Sequence, residues 1–108
     1  MMGRHEESLI DLTKSLEIKP DDAFVLSTRG DTYRLMDRYD ASLVDLNKSL
    51  EMDPNNENAL AFRGVTHRLM GNYIESFADL DRSLEINPND MWVQNQRQIT
   101  DRLLYDLL

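Results

Sequence analysis

Leucines at 9, 12 and 16 and again at 43, 46 and 50 step by three and four residues. That spacing lays an apolar stripe along one face of a helix. Each stripe runs into a proline, at 20, 54 and 88. Proline cannot continue a helix and presses the residue before it out of helical geometry. Asp21-Asp22, Asn55-Asn56 and Asn89-Asp90 follow the prolines and offer side-chain oxygens to cap the next helix. Asp37-Arg38 and Gly71-Asn72 supply short turns. The pattern predicts helices near 4–18, 22–36, 40–52, 57–70, 74–86 and 90–107, an all-α chain.

The pattern is also a repeat. The prolines are spaced by 34 residues, and whole phrases return at that offset. Asp11-Leu12 corresponds to Asp45-Leu46 and Asp79-Leu80. Ser15-Leu16-Glu17 corresponds to Ser49-Leu50-Glu51 and Ser83-Leu84-Glu85. Upstream, Leu26, Arg29-Gly30 and Tyr33 return as Leu60, Arg63-Gly64 and His67. A fixed period of this length is the mark of a stacked helical array. Gly30 and Gly64 fall inside helices, where glycine costs about 1 kcal/mol against alanine. Close approach of the paired helix is the expected compensation.

These residues resemble the tetratricopeptide repeat (TPR) family. Leu26, Gly30 and Tyr33 sit at the spacing of its Trp-x2-Leu-Gly-x2-Tyr. Ser42 with Leu46 and Ser76 with Leu80 stand where the family has Ala-x3-Phe. The chain departs by carrying Arg for Leu, His67 for Tyr and Ser for Ala. The resemblance implies a TPR-type α-solenoid: antiparallel helix pairs in a right-handed superhelix, each repeat burying its face against its neighbours. It divides the single array of 1–108 into a lone second helix (1–22), full repeats at 23–56 and 57–90, and a cap-like helix at 91–108. Two readings of that layout stand: a piece or capped variant of an array, or a unit that assembles head to tail.

The second reading rests on the two ends. Helix 4–18 has no partner helix, and Leu103, Leu104 and Leu107 make the last helix apolar where a cap is expected to be polar. Those leucines are the candidate self-association residues of a homo-oligomer. Against close pairing, Gln98 replaces the glycine of Gly30 and Gly64, and Asp101 replaces Tyr33 and His67.

Function classes narrow with composition. The net charge of −8 opposes general binding to nucleic acid or anionic membrane. The absence of cysteine removes disulfides and thiolate metal sites. His5 and His67 stand far apart in sequence, so no metal and no cofactor are expected. No apolar run reaches the roughly 20 residues of a membrane span, and a cytoplasmic location is the default. Nothing groups a nucleophile, a base and an orienting residue, so the chain reads as no enzyme.

The resemblance implies instead a scaffold that binds a protein or peptide in a concave groove lined by the first helix of each pair. Phe24, Ser27, Asp31, Arg34, Asn58, Ala61, Phe62, Val65, Arg68 and Arg102 occupy groove positions. Over 23–36, 59–70 and 91–108 the first helices hold six arginines against Asp31, Asp101 and Asp106, a net +3, so an acidic partner is expected; a set of solvated arginines is the alternative reading. Arg29, Arg63 and Arg97 form a second series, matched by Asp11, Asp45 and Asp79. Partly buried Arg–Asp pairs explain both series without any ligand. Some family members clamp a C-terminal carboxylate with a Lys/Asn/Arg set. Ser27, Asp31, Ala61 and Val65 take those places here, so that clamp is not expected. Trp92 is expected to pack the last helix onto helix 74–86, and Met36, Met52 and Met70 to fill core or edge.

Overall fold

The computed structural model describes residues 3–108; Met1 and Met2, part of the expected truncated repeat, lie outside the described residues. Six helices and no strand occur among them: α1 (Arg4–Ile18), α2 (Ala23–Leu35), α3 (Tyr39–Met52), α4 (Glu57–Leu69), α5 (Tyr73–Ile86) and α6 (Met91–Asp106). Every helix expected from the periodicity is present. The chain forms two compact units, Met1–Pro54 and Asn55–Leu108.

The helix ends follow from local chemistry. Asp22, Asn56 and Asp90 are the N-caps of α2, α4 and α6, each side chain accepting backbone N–H bonds of the first turn. Such caps contribute about 1 kcal/mol each. Lys19, Asp53 and Asn87, each directly before a proline, are extended at φ −135°, −137° and −131°. The ring of the following proline excludes helical geometry there.

The turns inside α2–α3 and α4–α5 share one construction. Arg38 N–H donates to the Tyr33 carbonyl and Asp37 N–H to that of Arg34; Asn72 and Gly71 repeat this with His67 and Arg68. This pair of bonds closes a helix through a residue in left-handed conformation. Asp37 takes that place at φ 61° and Gly71 at φ 84°.

In the first unit α2 packs between α1 and α3. Ser49 meets Ala23 while Asp45 meets Arg29, so α2 and α3 run antiparallel. In the second unit Ser83 meets Glu57 and Asp79 meets Arg63, the same geometry 34 residues on. Here α6 adds to α5 and also touches α4. Leu26 and Leu46 are buried in the first unit; Ala61, Val65, Leu80, Leu84 and Val93 form the core of the second.

The helical glycines sit where the pairs come closest. A Cβ on Gly30 would lie 2.7 Å from Leu46 Cγ and 3.2 Å from the Ser42 carbonyl oxygen. On Gly64 it would lie 2.8 Å from Leu80 Cγ and 3.2 Å from the Ser76 carbonyl oxygen. Leu46 and Leu80 are fully buried and have little room to move.

This geometry has two measurable consequences. Gly64→Ala gains about 1 kcal/mol of helix propensity but overpacks the pair by about 1–3 kcal/mol. A net loss of stability in urea melts is expected, and a gain would contradict the close approach. At the turns, Gly71→Ala is destabilising and Asp37→Gly is stabilising, each by roughly 1 kcal/mol. Thermal melts of both variants check the opposite signs.

Candidate functional site

The first helices of the pairs carry the candidate residues. On α2, Phe24 is 72% exposed, whereas Ser27 is buried and donates its hydroxyl to the Phe24 carbonyl at 2.9 Å. Asp31 and Arg34 pair with each other: Arg34 Nε and Nη2 reach one Asp31 oxygen at 2.9 and 2.6 Å. The expected basic series is therefore neutralised at its first member.

In the second unit α4 and α6 build a shared surface. Phe62 is half-buried and meets Trp92 edge to face, with ring centres 6.3 Å apart and planes at 68°. Trp92 remains 42% exposed. Its partner ring thus lies on α4; the sequence expectation had placed Trp92 against helix 74–86. The hydrophobic face of α6 turned toward α5 is served by Val93, which is buried beside Leu80 and Leu84. Beyond the rings, Arg68 donates from Nη2 to Gln96 Oε1 at 2.6 Å and from Nη1 to the Gln96 carbonyl at 3.1 Å. Asn58 and Arg102 are both exposed. Ala61 and Val65 are buried in the core, so their side chains pack rather than meet a partner.

Gln96 was missed as a surface residue, and for Trp92 a binding hot spot was only the alternative to packing, although the repeat register points to both. Position 92 is equivalent to Phe24 and Asn58, and position 96 to Thr28 and Phe62.

The second arginine series is structural. Arg29 grips both Asp45 oxygens at 2.7 and 2.8 Å, and Arg63 grips both of Asp79 at 2.8 Å. These are bidentate, partly buried pairs. The hydrogen bonds to Asp45 and Asp79 hold both guanidiniums above their ordinary pKa, against the opposing effect of burial. Arg29 also lies over the Tyr33 ring, 5.7 Å from its centre. Arg97 departs from the series and pairs with Asp81 at 2.7 Å, while Asp11 is exposed and takes no part in such a pair. Bonding to carboxylates on the second helices removes most of the basic excess expected for the first helices.

Leu103 and Leu104, at the end of α6, are half-buried and Leu107 is 69% exposed. Met36 is half-buried, and Met52 and Met70 lie at exposed edges. Among the described residues no three His, Cys, Asp or Glu side chains gather as a metal site, and no helix is long and apolar enough to cross a membrane.

Antiparallel pairs joined at a helical glycine and repeated every 34 residues define the class. The sequence profile of the tetratricopeptide repeat matches residues 25–56 and 57–90. The chain belongs to the tetratricopeptide repeat family. Solved structures agree on the fold. The first TPR of Spaghetti (RPAP3) bound to the HSP90 peptide SRMEEVD is similar at TM-score 0.89 and 20% identity, over 95% of this chain and 82% of that one. The second TPR domain of human RPAP3, in complex with the HSP70 peptide SGPTIEEVD, reaches 0.83 at 18% identity over 92% and 82%. A tetratricopeptide repeat protein from Parabacteroides merdae reaches 0.81 at 27% identity over 96% of this chain and 41% of that one. No curated protein matches the sequence significantly.

The ion pairs differ in burial, and that difference is testable. Asp79 is buried against Arg63, whereas the Asp81–Arg97 pair is 43% and 38% exposed. Asp79→Ala removes the carboxylate that grips the partly buried Arg63 guanidinium and is expected to cost on the order of 2 kcal/mol. Asp81→Ala is expected to cost less than about 1 kcal/mol. Equal losses in denaturant melts would contradict the structural role of the inner pair.

Proposed function

We propose that this chain is a protein-interaction scaffold whose α4–α6 surface receives a segment of a partner polypeptide. The observation that carries the reading is the Phe62–Trp92 pair, a rigid aromatic contact left part-exposed on the first helices. Burying such rings is a common source of binding energy, because they bring large apolar area with little entropy to lose. Arg68 and Gln96, tied to each other, stand beside the rings as polar groups of fixed orientation. Arg102 adds an exposed positive charge, which favours acidic residues at the edge of the partner segment. Family membership and the peptide-bound state of the Spaghetti and RPAP3 domains support peptide binding as the class of activity. Catalysis forms no part of the proposal.

The acidic peptides bound by those two domains are not the proposed ligand. Three of the four residues at the matching clamp places, Ser27, Ala61 and Val65, are buried small or apolar side chains, and Asp31 adds negative charge. The peptide SRMEEVD is therefore expected to leave Trp92 emission unchanged.

Trp92 is the sole tryptophan and reports directly on its surroundings. A displayed library of random peptides, selected on the chain, should yield segments with aromatic or aliphatic anchors and acidic flanks that shift Trp92 emission. Phe62→Ala is expected to weaken them about tenfold or more, and Arg102→Glu a few-fold. Selection of the same peptides by the Phe62→Ala variant would overturn the assigned surface.

A further inference from the structure

The surface shared by α4 and α6 is rich in hydrogen-bond donors and poor in acceptors. Arg68 donates to Gln96 Oε1 at 2.6 Å, which fixes the orientation of that amide. Gln96 Nε2 bonds nothing among the described residues. No buried polar atom of a half-buried side chain is left unpaired there, so Nε2 opens to solvent. The indole N–H of Trp92 can only donate, and it too lacks a partner among the described residues. Arg102 is exposed and forms no ion pair among them. Of the side chains on this surface, only Asn58 keeps an uncommitted acceptor.

That imbalance selects among backbone forms. An ordinary extended segment brings one N–H per residue, and those donors find almost no acceptor here. A helical segment has spent its carbonyls within its own turns and offers nothing to the indole and the amide. A polyproline II segment is the complement. Its carbonyls point outward without internal bonds, and each proline removes a donor.

Shape and spacing agree. The ring planes of Phe62 and Trp92 stand at 68° and form a corner, which suits a compact pyrrolidine ring. Leu69 lies on the same face of α4 as Phe62 and is 46% exposed. At about 1.5 Å per residue along a helix, Gln96 lies roughly 6 Å beyond Trp92, Leu69 roughly 10 Å beyond Phe62, and Arg102 roughly 15 Å beyond Trp92. Polyproline II advances about 3.1 Å per residue and returns to the same side every third residue, after about 9 Å. A proline in the corner therefore places a carbonyl near Gln96, a second proline on Leu69 and an acid near Arg102.

We infer that the segment received by the α4–α6 surface is a proline-rich stretch in polyproline II form, with the pattern Pro-x-x-Pro-x-Asp/Glu or its reverse. The inference rests on the reading of that surface as a partner site and adds the chemistry of the partner. Fixed φ angles leave such a segment little entropy to lose on docking.

The test uses short labelled peptides of this pattern in both directions, with controls in which alanine replaces the two prolines. One direction is expected to bind the full chain about tenfold or more tightly than its alanine control and to shift Trp92 emission. Phe62→Ala should weaken that binding by a similar factor. Gln96→Glu keeps an oxygen for Arg68 and removes the donor, so it should weaken binding several-fold with the melting temperature unchanged. Equal binding of the proline and alanine peptides would overturn the inference, as would equal binding by the chain and its Gln96→Glu variant. Library peptides that carry no proline, outcompete the proline peptides and depend on Phe62 would overturn the proline assignment and leave the surface standing. If neither library nor proline peptides bind, the surface falls as well.

Discussion

The structure depends on how closely two helices can approach at one residue. At Gly30 and Gly64 the opposing leucine and a backbone carbonyl occupy the space of a missing side chain. That contact sets the depth of each pair. It brings Asp45 within reach of Arg29 and Asp79 within reach of Arg63, as two-point bonds. It also lets Ser49 and Ser83, too short to span a wider gap, reach the carbonyls of Ala23 and Glu57. A wider pair would leave the carboxylates and hydroxyls buried without partners, at a cost of about 1–3 kcal/mol each. The polar residues thus tolerate no alternative spacing, and the fold gains register from groups that add little to hydrophobic stability.

The same constraint separates structural from available charge. A reading of net charge along the first helices counts Arg29, Arg34, Arg63 and Arg97 as free to attract a ligand. Each is bonded to a carboxylate, one on its own helix and three on a neighbouring second helix. In the proposed function, electrostatic attraction for a partner then falls to fewer groups, and the part-exposed aromatic pair would carry more of the binding energy. An acidic protein can therefore present an apolar interaction surface without a strongly basic groove.

The helices also differ in what they leave uncovered. On α6 the positions that α2 and α4 use for pairing have become Gln94, Gln98 and Asp101, all polar and compatible with water. On α1 the pairing residues are unchanged from the covered copies and stand open.

The sequence by itself determined the helices, their caps, the breaks before each proline and the 34-residue register. Those features are local: backbone sterics, capping oxygens and the spacing of apolar positions act within a few residues. It also determined that Gly30 and Gly64 mark close pairing. A mid-helix glycine is unfavourable in itself, and its return in register points to an opposing helix that leaves no room for a side chain. Tertiary structure decided the partners that the repeat register left open. Whether Arg97 turns to Asp81 or another carboxylate, or whether Trp92 lies on α4 or α5, depends on which way a long side chain leaves its helix. Periodicity defines the face of a helix but not the neighbour that a flexible arginine or a wide ring finds across it. Burial of Ser27, Ala61 and Val65 was likewise hidden, because a groove position and a core position can be one helical step apart.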